Sequence, residues 1–99
     1  MTDLFTTIAT RTLVCVDNKT GDKRQIVIMV GQPYWIEQDK EAACAVKIDG
    51  LLEKRTDIRG IDPIDAFMCS MSFVDSYLRN QAATKTLRWT TGELYFDPN

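Results

Sequence analysis

Histidine is absent from this chain, and cysteine occurs only three times in its 99 residues, at Cys15, Cys44 and Cys69. A Cys/His zinc site or a C-x-x-C redox motif needs more of these residues at closer spacing. The odd number of cysteines also argues against the disulfide framework of a small secreted domain. Because free cysteine is often buried, we predict that all three lie in the core and that the chain holds neither a metal nor another cofactor.

Excess positive charge and long apolar runs are lacking as well. The formal net charge is -2, and no stretch collects the Lys and Arg residues that attract a phosphate backbone, so no nucleic-acid partner is expected. The longest strongly apolar run covers residues 26–30, whereas a bilayer requires ~20 residues. The first ten residues contain Asp3 but no Lys or Arg, unlike a secretory signal. These absences favour a cytoplasmic protein that does not contact a membrane.

The remaining composition is that of an ordinary globular protein, with 44% hydrophobic and 26% charged residues. A chain of 99 residues has the length of one domain, and it hides roughly 60 to 65% of its unfolded surface when it folds. We therefore predict a single domain that spans residues 1–99.

Alternation of apolar and polar residues with a period of two predicts several β-strands. The first covers residues 7–16, the second 23–30 and the third 43–49. A less regular connection follows, with a short strand expected around residues 56–60, and a β-like tail extends over residues 86–96. The second strand is apolar on both faces, so we expect it in the middle of the sheet.

One long helix is predicted to begin at Asp62, whose side chain can accept hydrogen bonds from the first-turn amides. Pro63 suits the first helical position, and Asp65 places negative charge at the positive end of the helix dipole. The helix is expected to end at about Asn80. Two apolar patches follow from a period of 3.6 residues, a larger one expected to face the sheet and a smaller one beside it: Ile64, Phe67, Met68, Met71, Val74 and Leu78 in the larger, Ala66, Cys69, Phe73 and Tyr77 in the smaller.

These elements predict the α+β class, in the form of an antiparallel β-meander of four to six strands packed on one long α-helix. The helix has more apolar surface than one sheet face covers. Either loops of the chain or a second copy must then cover the smaller patch, which leaves a homodimer open. Asp75 lies at the margin of the larger patch and should therefore pair with a cation such as Arg11, Lys47 or Arg88.

Residues 44–51 and 60–62, followed by the long apolar helix, resemble a family of short bacterial proteins that form a domain of unknown function. In that family an antiparallel meander leads through an Ile-Asp-Gly-Leu turn, here Ile48 to Leu51, into one long helix. The resemblance extends over roughly residues 8–78. It implies the fold, and it implies no function or site residue.

Three carboxylates near the helix start, Asp57, Asp62 and Asp65, are the strongest candidates for catalysis, because a chain without histidine needs a tuned carboxylate, cysteine or lysine as its base. The same residues could offer oxygen ligands to magnesium or calcium, but their spacing differs from that of an acidic calcium loop. Helix capping explains Asp62 and Asp65 better. We therefore expect no enzyme activity.

Tyr34 and Trp35 follow Pro33 outside any regular alternation, and Glu37, Asp39 and Glu41 come close behind them. Exposed aromatic residues often anchor protein interfaces, and an acidic rim speeds encounter with a basic partner. The sequence therefore predicts a partner-binding surface at these five residues. A competing interpretation makes the two aromatic residues a lid over the helix.

The function favoured by this reasoning is that of a small protein–protein interaction module. An immunity-type or antagonist protein that occludes a bacterial or phage partner is one form of it, and a basic toxin such as a nuclease would be a suitable partner. The alternative is a small-molecule binding domain that uses a pocket between helix and sheet. A carboxylate-dependent enzyme is the third hypothesis.

Overall fold

A computed structural model describes residues 5–97, in which six strands and one helix follow one another along the chain. The elements are β1 (Thr7–Asp17), β2 (Lys23–Gly31), β3 (Tyr34–Glu37), β4 (Glu41–Asp49), β5 (Leu52–Gly60), α1 (Pro63–Gln81) and β6 (Lys85–Trp89). All strands belong to one antiparallel sheet, and α1 packs on one face of it against β4 and β5. The predicted α+β class is confirmed.

The sheet is organised around β4. Val46 pairs with Val30 of β2 on one edge and with Thr56 of β5 on the other. Nearer the start of β4, Ala42 pairs with Trp35 of β3. Strand β3 therefore continues the course of β2 along the same edge of β4. Strands β1 and β6 follow beyond β2, so β2 has a neighbour on each side, as its two apolar faces predicted.

Strand β5 differs from the short strand predicted around residues 56–60, because it extends over nine residues from Leu52 to Gly60. Its first half carries Glu53, Lys54 and Arg55, all exposed. Within the described residues β5 pairs with β4 alone and forms an edge of the sheet. Charged side chains are a common protection for such an edge, and they hide the alternation by which a strand is recognised.

The core lies between the helix and the facing side of the sheet. Ile26, Ile28 and Val30 of β2 alternate with less buried neighbours, while every residue from Ala42 to Val46 of β4 is buried. Both faces of β4 are thus covered from Ala42 to Val46. Within residues 5–97, no helix is long and apolar enough to pass through a membrane.

The helix starts as predicted, and the predicted larger patch faces the sheet in part: Val74 and Leu78 are buried and Phe67 packs against the core. Its buried residues are Ala66, Ser70, Val74 and Leu78, of which the first two are small. The expected assignment of Ile64 and Met68 to the core is wrong, since Ile64 is 72% and Met68 62% exposed. Met71 is exposed as well. Small residues, Ala66 and Ser70, occupy this face because α1 approaches the sheet closely. A Cβ added at Gly60 would lie only 2.4 Å from the Ala66 nitrogen.

The smaller patch of the helix is largely covered by the chain itself. Phe73 and Tyr77 are half-buried against the core, with ring centroids 6.1 Å apart. Asp75 is paired, as predicted, but its partner is Arg79 on the next turn, at 2.9 Å. The cations predicted as its partners, Arg11, Lys47 and Arg88, lie on strands. Arg79 follows four residues later on the same helix, so this pair needs no tertiary contact.

Candidate functional site

The five residues predicted to bind a partner come together on one β-hairpin. Tyr34, Trp35 and Glu37 lie in β3, Glu41 begins β4, and Asp39 occupies the turn between them with a φ of 61°. We call these five residues the hairpin surface. An extended segment, β3, follows Pro33, and its pairing with β4 is what brings the aromatic and acidic residues together.

The two aromatic residues of the hairpin surface have different environments. Trp35 is half-buried and packs against the core. Tyr34 alternates with it, is 38% exposed, and has its hydroxyl hydrogen-bonded to the Asp57 carboxylate of β5. Ile36, which sequence reasoning passed over, is 43% exposed on the same short strand. The exposed apolar groups of the hairpin are therefore Tyr34 and Ile36.

The Asp57 carboxylate accepts hydrogen bonds from both Tyr34 and Arg55. Arg55 Nε donates to its carboxylate at 2.7 Å, and this bond is the main reason why the pKa of Asp57 is lowered. The hydrogen bond to the Asp57 carboxylate is in turn the main cause that raises the pKa of Tyr34. The Tyr34–Asp57–Arg55 cluster thus favours the neutral phenol and the charged carboxylate, and it fastens β3 to β5 across β4.

The acidic rim predicted on the hairpin surface is partly neutralised by the chain. Glu37 pairs with Lys40 at 3.1 Å, and Glu41 pairs with Arg59 at 2.7 Å. Asp39 accepts a hydrogen bond from the side-chain amide of Gln38 at 3.3 Å. Glu37 and Lys40 flank the turn between β3 and β4, where the Lys40 amide also donates to the Glu37 carbonyl at 3.0 Å. Asp39 at the turn is the carboxylate best placed to meet a cation from outside.

The carboxylates considered for catalysis do not form one site. Asp57 belongs to the cluster with Tyr34, while the Asp62 side chain caps α1 by accepting from the Asp65 amide at 2.7 Å. Asp65 accepts from the Ile61 amide at 2.9 Å. In the part of the chain that the structure describes, no group of three or more acidic or cysteine side chains is placed to hold a metal ion.

Two of the cysteines lie in the core, as predicted, and the third does not. Cys15 and Cys44 are buried, and burial is the largest cause that raises the pKa of each thiol. Cys69 is only half-buried, with its Sγ 4.0 Å from a carboxylate oxygen of Asp65. The assignment of Cys69 to the core rested on how often free cysteine is buried, and for Cys69 it is wrong.

A second exposed apolar feature lies on α1. Ile64, Met68 and Met71 are spaced by four and three residues, and therefore share one side of the helix. We call these three residues the helix flank. A shallow groove of about 120 Å³ opens beside it, between α1 and the sheet. Its lining is mostly apolar: Ala9, Thr10, Arg11, Ile28, Val30, Met71 and Val74.

The size of this groove bears on the small-molecule hypothesis. Pockets that enclose a drug-sized ligand usually have volumes of ~300 to 1,000 Å³. The space left between helix and sheet here is about 120 Å³, because Ala66, Ser70 and Val74 pack directly on the strands. The groove suits protruding side chains of another protein better than an enclosed ligand.

Arg11 is held in place at the groove. Its guanidinium lies 5.0 Å from the centre of the Trp89 ring, and it donates to the Tyr95 hydroxyl at 2.8 Å. Both contacts orient the side chain without neutralising its charge. The groove therefore combines apolar walls with one positive group.

The chain was compared with known proteins. Residues 9–97 match the model of a protein family described as a domain of unknown function (DUF6968). No curated protein and no solved structure matches the chain. The match agrees with the resemblance to a family of unknown function.

Proposed function

We propose that the chain, which belongs to the family of domains of unknown function DUF6968, is a protein-binding module. The observation that carries this proposal is the exposure of large apolar side chains on a short strand, where Tyr34 and Ile36 are 38% and 43% exposed. Apolar and aromatic side chains in such positions supply most of the binding energy in protein interfaces.

The proposed contact with the partner is the exposed side of this hairpin, which carries Tyr34, Ile36 and the acidic residues Glu37, Asp39 and Glu41. Tyr34 is fixed by its hydrogen bond to Asp57, so its ring is ordered before a partner arrives and loses little conformational freedom on binding. Asp39 at the turn, together with the net charge of -2, favours a basic partner. Trp35 packs against the core and supports the hairpin, and it does not contact the partner.

The finer form of the proposal is an immunity-type or antagonist protein of bacterial origin, which covers the functional surface of a basic protein such as a nuclease. A small, mildly acidic domain with a rigid hairpin and exposed apolar groups suits that role. In this form the chain performs no chemistry of its own, consistent with the expectation of no enzyme activity.

Affinity capture from a lysate of the source organism tests the proposal. The tagged wild-type chain should retain one stoichiometric partner, and Ile36→Glu should reduce its recovery at least tenfold, because a charge would enter an apolar contact. Met68→Glu, on the helix flank, is the matched control and should retain the partner. A melting curve must show that both variants are folded. Equal recovery with Ile36→Glu and wild type would refute the exposed side of the hairpin as the contact.

A charge substitution distinguishes a basic partner from others. Asp39→Lys should slow association with the purified partner at low salt and leave the rate at high salt nearly unchanged, since steering by charge is screened. An association rate that is independent of both the substitution and the salt would contradict a basic partner.

A further inference from the structure

Strand β1 is longer than the strand that covers its outer side. Strand β2 pairs with almost the whole of β1, whereas β6 pairs with it only from Leu13 to Asp17. Within residues 5–97, no other strand lies on that side of β1. The residues that follow β6 fold back along β6 itself. The first part of β1 is therefore an edge of the sheet, and we call its residues 9–12 the open edge.

The backbone groups that point out of the open edge are those of Thr10. The Asp17 amide donates to the Asp22 carbonyl on the β2 side, and the register between the two strands is regular from Ala9 onwards. Since backbone groups alternate in direction along an antiparallel pair, the N–H and C=O of Thr10 point away from β2. In the part of the chain that the structure describes, no strand pairs with them. An extended peptide is the ligand that pairs such groups in register.

The open edge lacks the charges that protect β5. Residues 53–55 of β5 are all charged and exposed. The open edge has one charged residue, Arg11, which lies between two threonines, and residues 9–11 are exposed. A strand edge with so little protection is a template for pairing with another chain. The register shift between Thr7 and Ala9 keeps the open edge short, so the binding is weak and reversible.

Arg11 gives the open edge a preference for a carboxylate. Its side chain lies at the groove on the helix side of the sheet, beside Met71 and Val74. The guanidinium is held 5.0 Å from the centre of the Trp89 ring and 5.7 Å from that of the Tyr95 ring. Among residues 5–97, no carboxylate forms a salt bridge with it. A guanidinium that is oriented but not neutralised is suited to bind a carboxylate through its remaining N–H groups.

We propose that the open edge binds an extended segment of an acidic partner protein, which pairs with Thr10 as an added strand. An Asp or Glu of that segment meets Arg11, and an apolar residue on the same face of the segment enters the groove beside Met71. A second copy of the chain fits poorly. Antiparallel pairing of two open edges about Thr10 would bring their Arg11 side chains together on one face. The proposal does not rest on the hairpin contact, since none of these residues belongs to the hairpin.

Selection from a library of random linear peptides displayed on phage tests the surface, with the purified full chain as the target. Enriched peptides should carry Asp or Glu among β-branched or aromatic residues. The most enriched one, as a synthetic peptide, should bind Arg11→Ala about tenfold more weakly than wild type, the loss expected for one charge-assisted hydrogen bond. Arg88→Ala is the matched control and should bind like wild type, because Arg88 is exposed on β6 with its side chain on the opposite face. No enrichment, or equal binding by Arg11→Ala and wild type, would overturn the proposal.

Methylation of the peptide backbone tests the strand pairing without altering the fold of the chain. N-methylation of a peptide amide that points to the open edge should abolish binding, because it removes the donor and blocks the approach of the two strands. N-methylation of the next amide, which points away, should leave binding nearly unchanged. Equal effects at adjacent amides would show that the peptide does not bind as a strand and would contradict the proposal.

Hydrogen exchange at the Thr10 amide identifies the occupant. Adding the selected peptide should slow this exchange, whereas concentrating the chain alone should not. Protection of the Thr10 amide that rises with the concentration of the chain alone would identify a second copy as the occupant and overturn an acidic partner. Ile36→Glu should bind the peptide like wild type. Partner capture through the hairpin is read out separately, so either proposal can fail without the other.

Discussion

The Ser70 hydroxyl donates a hydrogen bond of 3.0 Å to the backbone carbonyl of Cys44, which joins the middle of α1 to β4. Ser70 is fully buried, with 0% of its surface exposed. A hydroxyl without a partner would be costly in this position. The bond therefore fixes both the rotation of the helix about its axis and its position along the central strand.

Replacing Ser70 by alanine should lower the free energy of unfolding by about 1 kcal/mol, the usual net contribution of such a bond. Ser72→Ala is the matched control, because Ser72 is exposed on the same helix and its loss should be neutral or slightly stabilising. Urea unfolding of both variants measures the difference. Equal stability of the two variants would show that the Ser70 hydrogen bond contributes nothing.

Gly60→Ala should be more damaging, because its Cβ would lie 2.4 Å from the nitrogen and 2.7 Å from the Cα of Ala66. These are backbone atoms, so the helix would have to shift, and we expect a loss of about 3 kcal/mol. Gly21→Ala provides the comparison, since Gly21 has a φ of 78° but open space around it. Its cost should be only ~1 kcal/mol, from strain alone. Similar melting temperatures for the two variants would contradict a close approach at Gly60.

The N-cap can be tested at Asp62. Asp62→Ala removes the acceptor of the Asp65 amide and should cost about 1 kcal/mol. Asp62→Asn retains a side-chain oxygen and should recover most of that stability. Thermal unfolding followed by circular dichroism measures both. An alanine variant that melts like wild type would mean that the cap contributes little to the stability of α1.

Local patterns predicted the elements of this fold well, and they failed where tertiary contacts decide. The start of α1 was predictable, because Asp62 and Pro63 act through their own backbone neighbours. The buried face of the helix was not, since counting large apolar residues favours Ile64 and Met68 over Ala66 and Ser70. Because α1 comes close to the sheet at Gly60, Ala66 and Ser70 are buried while Ile64 and Met68 are exposed. A helical wheel does not show which residues of the sheet lie opposite the helix.

The candidate site was predictable to a similar degree. The break at Pro33 marks the start of the hairpin in the sequence, but whether Tyr34 or Trp35 is exposed depends on which side of β3 faces the core. The partner of Glu41 is Arg59, which is distant in sequence and becomes a neighbour only when β5 pairs with β4. A single sequence offers no signal for such a contact.

The last prediction concerns the pH dependence of stability at the Tyr34–Asp57–Arg55 cluster. The hydrogen bond from Arg55, followed by that from Tyr34, lowers the pKa of Asp57 in the folded chain. Stability from this carboxylate is therefore present above the unfolded value of ~3.9 and is lost as the pH falls through the lower folded pKa. The pKa of Tyr34 is raised, mainly by its hydrogen bond to Asp57. Its contribution is present below the unfolded value of ~10 and is lost as the pH rises through the higher folded pKa.

Two variants separate these effects. Tyr34→Phe should reduce the alkaline loss above pH ~10, to which the buried thiols of Cys15 and Cys44 also contribute through their raised pKa values. It should also reduce, without abolishing, the acid loss below pH ~3.9, because Arg55 still donates to Asp57. Asp57→Asn should reduce the acid loss, to which Asp17 and Glu93 also contribute through their lowered pKa values, and should remove most of the alkaline loss that comes from Tyr34, although Tyr34 is still present. Free energies of unfolding in urea, measured across both pH ranges, test this. If Asp57→Asn keeps the full alkaline loss, the carboxylate is not what raises the pKa of Tyr34, and the hairpin is then fastened to β5 by something other than this hydrogen bond.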